Sequence, residues 1–143
     1  MSAAVECWFP ARQDGLARAT DFVESWSLQQ GVTPADALRL RLVVEELFSN
    51  TLTHGHGGNA AAQVQLRLAV DLRHIHLDYR DEAPAFDPLS SAVDPLAEPT
   101  GATGRAPGGF GLVIIRAMAH CASYTREAGH NVLRILLART GQD

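Results

Sequence analysis

Residues 38–55 read LRLRLVVEELFSNTLTHG. At about 100° per residue, Leu38, Leu42, Val43, Val44, Leu47, Phe48 and Leu52 cover most of a helical circumference. The stretch therefore predicts one long helix packed on both flanks. Two polar residues interrupt it. Glu46 and Asn50 lie four residues apart, so one stands a turn above the other. Burying a polar group without a partner costs about 2–7 kcal/mol. A stacked carboxylate and amide point either to a ligand that supplies partners, a metal ion foremost, or to core polar groups satisfied by neighbouring backbone. The helix alone leaves both open.

Working outward, Thr33-Pro34-Ala35-Asp36 opens this helix with a Thr cap and Pro at the first helical position. Before it, Leu16, Ala19, Phe22, Val23 and Trp26 space an amphipathic helix over 13–30 that stops at Gly31. Residues 3–9 (AAVECWF) read as a first strand closed by Pro10. Beyond the GHGGN loop, Val64, Leu66, Leu68, Val70 and Leu72 alternate as a half-buried strand. The parity then shifts to Ile75, Leu77 and Tyr79, which places a turn near 71–74 between antiparallel strands. Asp81 falls in that inward register, and an inward charge needs a partner. Residues 82–109, rich in Pro, Gly and Ala, read as a lid or binding loop. Gly108-Gly109-Phe110-Gly111 then precedes an apolar helix, where open amide groups suit an anion, though a plain loop-to-helix junction has the same pattern. The C-terminal stretch reads as a hairpin with its turn over 127–131 and Gly129 at positive φ.

The 143 residues suit one domain with a full core, and 46% apolar with 20% charged residues is ordinary globular composition. A net charge of −4 argues against direct nucleic-acid binding or an anionic membrane surface. The start lacks a basic leader and a long apolar run. Cys7 and Cys121 have neither metal nor redox spacing. A cytoplasmic protein is expected.

Three pieces stand in fixed order: Glu46-x-x-x-Asn50 on a buried helix, inward Asp81 at a strand end, and Gly109-x-Gly111-Leu112 behind a long lid. That order resembles the GHKL (Bergerat-fold) ATP-binding superfamily, which includes gyrase B, MutL and sensor histidine kinases. In detail it is similar to the anti-sigma-factor serine/threonine kinases of the SpoIIAB and RsbW type. Phe86-Asp87-Pro88 matches the FDP that often follows the aspartate motif there. The resemblance implies an α+β two-layer sandwich with a mixed, mostly antiparallel sheet covered on one face by helices. It implies one histidine-kinase-like ATPase domain over 1–143, with a lid at about 82–109.

By the same resemblance, Glu46 is the general base or orients the attacking hydroxyl, and Asn50 is the Mg²⁺ ligand. Asp81 accepts a hydrogen bond from the adenine amino group of ATP. Gly108, Gly109 and Gly111 let backbone approach the phosphates, with Phe110 and Leu112 anchoring the end of the lid. The motif D-x-G-x-G is here Asp81-Glu82-Ala83-Pro84-Ala85, with alanine at both glycine positions, including Ala85 of the nucleotide-binding set. Alanine resists positive φ by about 1 kcal/mol or more. Arg105 either reaches the γ-phosphate or a partner, or is a solvated lid residue. His54, continuing the 46–50 strip, either touches phosphate or lid, or is a cap-region histidine with no ligand role. The implied partners are a STAS-domain anti-anti-sigma protein as substrate, a sigma factor, and a second copy in a homodimer.

Two other classes compete. An ATP-binding module could sequester a partner without phosphoryl transfer, although Glu46 would then have no task. A zinc protein could use His54-x-His56, His74-x-His76, His120-Cys121 and His130, but no pair has finger or zincin spacing. GRAPGGFG lacks the Lys-Ser/Thr ending of a P-loop.

Overall fold

The computed structural model describes residues 3–54, 61–89 and 115–140. Its elements run β1 (Val5–Pro10), α1 (Gln13–Gln29), α2 (Pro34–His54), β2 (Gln63–Val70), β3 (His74–Asp81), β4 (Cys121–Glu127) and β5 (His130–Ala138). The five strands form one sheet in the order β1-β2-β3-β5-β4. The expected mixed sheet narrows on inspection: every described pairing is antiparallel.

Strand parity makes one face apolar. Val64, Leu66 and Leu68, Ile75, Leu77 and Tyr79, and Leu133, Ile135 and Leu137 are buried together with residues of both helices. The opposite face is polar, crossed by ion pairs such as Arg134 with Glu127 at 2.9 Å and Arg80 with Glu127 at 3.7 Å. Exposed pairs of this kind contribute little each. The helices therefore cover one side only, which gives the two-layer sandwich.

On α2, Leu40, Val43, Val44, Leu47, Phe48 and Thr51 form the buried stripe. Two expectations fail here. Leu38 is 54% exposed, because two residues from Leu40 is about 200° around the helix. Leu72 is 87% exposed, because β2 ends at Val70 and Leu72 sits in the turn. Asp71 organises that turn by accepting hydrogen bonds from Arg73 N at 2.8 Å and His74 N at 2.7 Å.

Both ends of the helical hairpin are fixed. Gly31 takes φ 70° just past α1. Gly15 lies so close to Pro10 that a Cβ would sit 1.7 Å from its carbonyl oxygen, which locks α1 onto β1. Thr33 Oγ1 accepts from Asp36 N at 3.2 Å, the expected cap. Asp36 itself is fully buried and accepts from Thr140 N at 2.8 Å and Thr140 Oγ1 at 2.5 Å, tying the end of β5 to the start of α2. Arg39 stands 3.6 Å from the same carboxylate. Asp36→Ala is expected to lower the unfolding free energy by about 1–3 kcal/mol, read by urea titration, since the tie between α2 and Thr140 is lost while the exposed Thr140 donors can turn to water.

The β4–β5 hairpin closes in two residues, Ala128 (φ 50°) and Gly129 (φ 82°), both left-handed as a type I′ turn requires. The turn is shorter than the expected 127–131. Asn131 consequently lies inside β5, paired with Asp81.

Candidate functional site

Asp81 ends β3 on the same face as Ile75, Leu77 and Tyr79, and is only 6% exposed. Its inward register holds. Oδ2 accepts from Thr51 Oγ1 at 2.7 Å. Oδ1 accepts from Asn131 Nδ2 at 2.9 Å and from Ala83 N at 3.2 Å. The Tyr79 hydroxyl lies 2.5 Å from Thr51 Oγ1. Thr51 has one hydrogen, and with that hydrogen given to Asp81, Tyr79 must donate into Thr51. Burial, and then the Asp81 charge, holds the Tyr79 phenol well above its ordinary pKa, so it remains a donor. The result is a donor chain from Tyr79 through Thr51 into the carboxylate.

A carboxylate offers about four acceptor positions. Among the described residues three are taken, and one remains on Oδ2. Asp81 lines a cleft together with Leu47, Asn50, Thr51, Ala83, Phe86 and Asn131. A mostly apolar slot with one buried acceptor at its wall suits a flat ring carrying an amino group.

Asn50 reaches the same cleft from α2. It is 8% exposed, and its amide has no hydrogen-bond partner among the described residues. Its polar atoms are not among the fully buried, unpartnered ones, so the amide meets the solvent of the cleft, where a ligand could replace water. Its oxygen is the hard donor type that Mg²⁺ prefers. Glu46, one turn earlier, is half-buried and lies outside the residues lining the cleft. Burial first, and the neighbouring charge of Glu45 second, push its carboxyl above the usual range.

Of the expected nucleotide contacts, Asn50 and Asp81 are thus brought to one cleft, and Phe86 joins them. Ala85 is exposed and does not line it. Among the described residues Ala128 alone of the non-glycines has positive φ, so Ala83 and Ala85 stand in ordinary backbone without the strain their alanines suggested. Ala83 is buried against the cleft instead. Arg105, Gly108, Gly109, Phe110, Gly111, Leu112 and the His54 side chain lie outside the described residues, as does most of the 82–109 lid.

Sequence reading missed Thr51, Tyr79 and Asn131 as site residues. The signal for Asn131 was present: it precedes Leu133, Ile135 and Leu137 on the inward parity, the argument that found Asp81. Assigning it to the turn hid it.

Comparison with known proteins fits this geometry. The sequence profile of the histidine kinase-like ATPase domain matches residues 9–137. The serine/threonine-protein kinase BtrW of Bordetella bronchiseptica is 31% identical over 96 residues, 67% of this chain and 66% of that protein, so the match spans just under two thirds of the relative. A chain of the SiaB–SiaC complex from Pseudomonas aeruginosa superposes with a TM-score of 0.55 at 12% identity, covering 94% of this chain and 89% of that one, a likeness of fold. A helix-covered antiparallel sheet, an inward aspartate at a strand end, an asparagine facing the same cleft, and a profile match over nearly the whole chain lead to one conclusion: this chain belongs to the histidine kinase-like ATPase domain family.

Proposed function

We propose that this chain is an ATP-dependent protein-serine/threonine kinase that acts as an anti-sigma factor. In this reading it binds a sigma factor and phosphorylates a STAS-domain antagonist, working in the cytoplasm as a homodimer. Residues 1–143 act as one domain whose lid, about 82–109, closes over the nucleotide. The observation that carries the reading is that, among the described residues, buried Asp81 keeps one acceptor position open beside the amide of Asn50 in one cleft. The similarity to a protein named as a serine/threonine kinase, and to a fold solved as a two-protein complex, supports it.

Asp81 receives the adenine amino group, and the apolar walls hold the ring. Asn50 Oδ1 would hold Mg²⁺, which when bound neutralises phosphate charge. Glu46 takes the proton of, or orients, the serine hydroxyl, and its raised pKa makes it a better base than an ordinary surface carboxylate. Gly108 to Leu112, Arg105 and His54 serve the phosphates and the lid.

The test is nucleotide binding with and without magnesium. Mg·ATP is expected to raise the melting temperature of the parent by several degrees, with EDTA removing most of the gain. Asn50→Ala should weaken Mg·ATP binding by about tenfold or more while leaving metal-free binding nearly unchanged. Equal weakening under both conditions would remove Asn50 from the metal. Labelled ATP with a STAS-domain protein then separates a kinase from a module that only sequesters its partner.

A further inference from the structure

Asn131 sits between two sets of groups that fix its amide. On the Nδ2 side it faces three acceptors: Asp81 Oδ1 at 2.9 Å, Pro84 O at 3.0 Å and Ala83 O at 3.3 Å. On the Oδ1 side it faces three donors: the Tyr124 hydroxyl at 2.5 Å, Arg126 Nη1 at 3.1 Å and Phe86 N at 3.2 Å. No rotation of the amide satisfies these partners except the one observed. Arg126 Nη1 also donates to Ala83 O at 2.8 Å. One buried side chain, 3% exposed, thereby joins the end of β3, the segment 83–86 and β4. The segment it clasps is the one in which alanines replace the motif glycines, and two of its residues line the cleft.

We infer that Asn131 is a positioning residue for recognition of the base: its amide holds Asp81 so that the one vacant acceptor position faces an amino-bearing ring. The inference rests on the kinase reading and deepens it. With Nδ2 and Ala83 N both on Oδ1, the carboxylate cannot turn, and Thr51 leaves Oδ2 a single open position. A base carrying an amino group there donates into it. A base carrying a carbonyl there meets a carboxylate oxygen, and both are left unpaired and repelling. Without the clasp Asp81 could rotate, accept from water, and lose the distinction.

The test compares ADP with IDP, which replaces the amino group by a carbonyl, in direct binding measurements. The parent is expected to prefer ADP by about a hundredfold or more. Asn131→Ala removes the clasp from Oδ1 of Asp81 and is expected to lower that preference at least about tenfold. A merely structural role would weaken both nucleotides alike and leave the ratio unchanged. Should that variant fail to fold, Tyr124→Phe removes one donor to Oδ1 without touching Asp81, and is expected to lower the ratio about threefold. A folded variant that keeps the parent ratio overturns the inference. A parent that binds neither nucleotide overturns the kinase reading first, and the inference with it.

Discussion

Asp81→Ala is expected to abolish measurable ADP and ATP binding and to lower the unfolding free energy by about 2–4 kcal/mol. The two effects share one cause. The carboxylate accepts from Thr51, Asn131 and Ala83, and truncation leaves three buried donors facing one another with no acceptor. The Tyr79–Thr51 chain loses its terminus, although Thr51 can still donate to Leu47 O at 3.1 Å, which limits the damage. Asp81→Asn separates the contributions. It keeps the shape and one acceptor oxygen, so stability should fall by only about 1–2 kcal/mol. Binding should still weaken by about a hundredfold, because an amide cannot offer the adenine amino group a charged acceptor while also answering Asn131. Isothermal titration with ADP and urea denaturation of both variants measure the two effects. Tight ADP binding by a folded Asp81→Ala variant would remove the carboxylate from the base.

Glu46→Gln should cut phosphoryl transfer to a STAS-domain substrate by about 10²–10⁴-fold, the usual share of a general base, with nucleotide affinity changed by less than about threefold. Affinity is spared because Glu46 lies outside the residues that line the cleft. The pH profile carries the sign. Burial raises the Glu46 pKa, and the base is active only when ionised, so the parent rate should climb as pH rises through that raised value. The Gln variant should lack this limb. Single-turnover transfer measured across the acidic to neutral range reads both effects, and a Gln variant retaining the limb would assign it to another group.

Much of this was legible in the order of residues. Alternation at 64–70, 75–81 and 133–137 gave three strands and their inward faces, and so placed Asp81 without any contact being known. Thr33-Pro34 and Gly31 marked the helix boundaries because cap and stop chemistry is local. Where the reading failed, the cause was local at Asn131, whose parity was overlooked, and elsewhere lay in how the elements end and pack. Leu38 and Leu72 are apolar and fit their local patterns, yet the sheet ends short of one and α2 turns the other to solvent. The alanines after Asp81 suggested strain that the backbone does not have, because a side-chain clasp and not positive φ shapes that segment.

Period and capping are properties of neighbouring residues, so the sequence by itself determined the helices, the strands and the inward register of Asp81, while the ordered motifs around Asn50 and Asp81 carried the resemblance to the family. Which three donors answer the carboxylate was decided only in three dimensions. Thr51 lies 30 residues from Asp81 along the chain and Asn131 lies 50, and a hydrogen bond depends on distances of tenths of an ångström that no local pattern encodes. The number of acceptor positions left open among the described residues follows from that convergence.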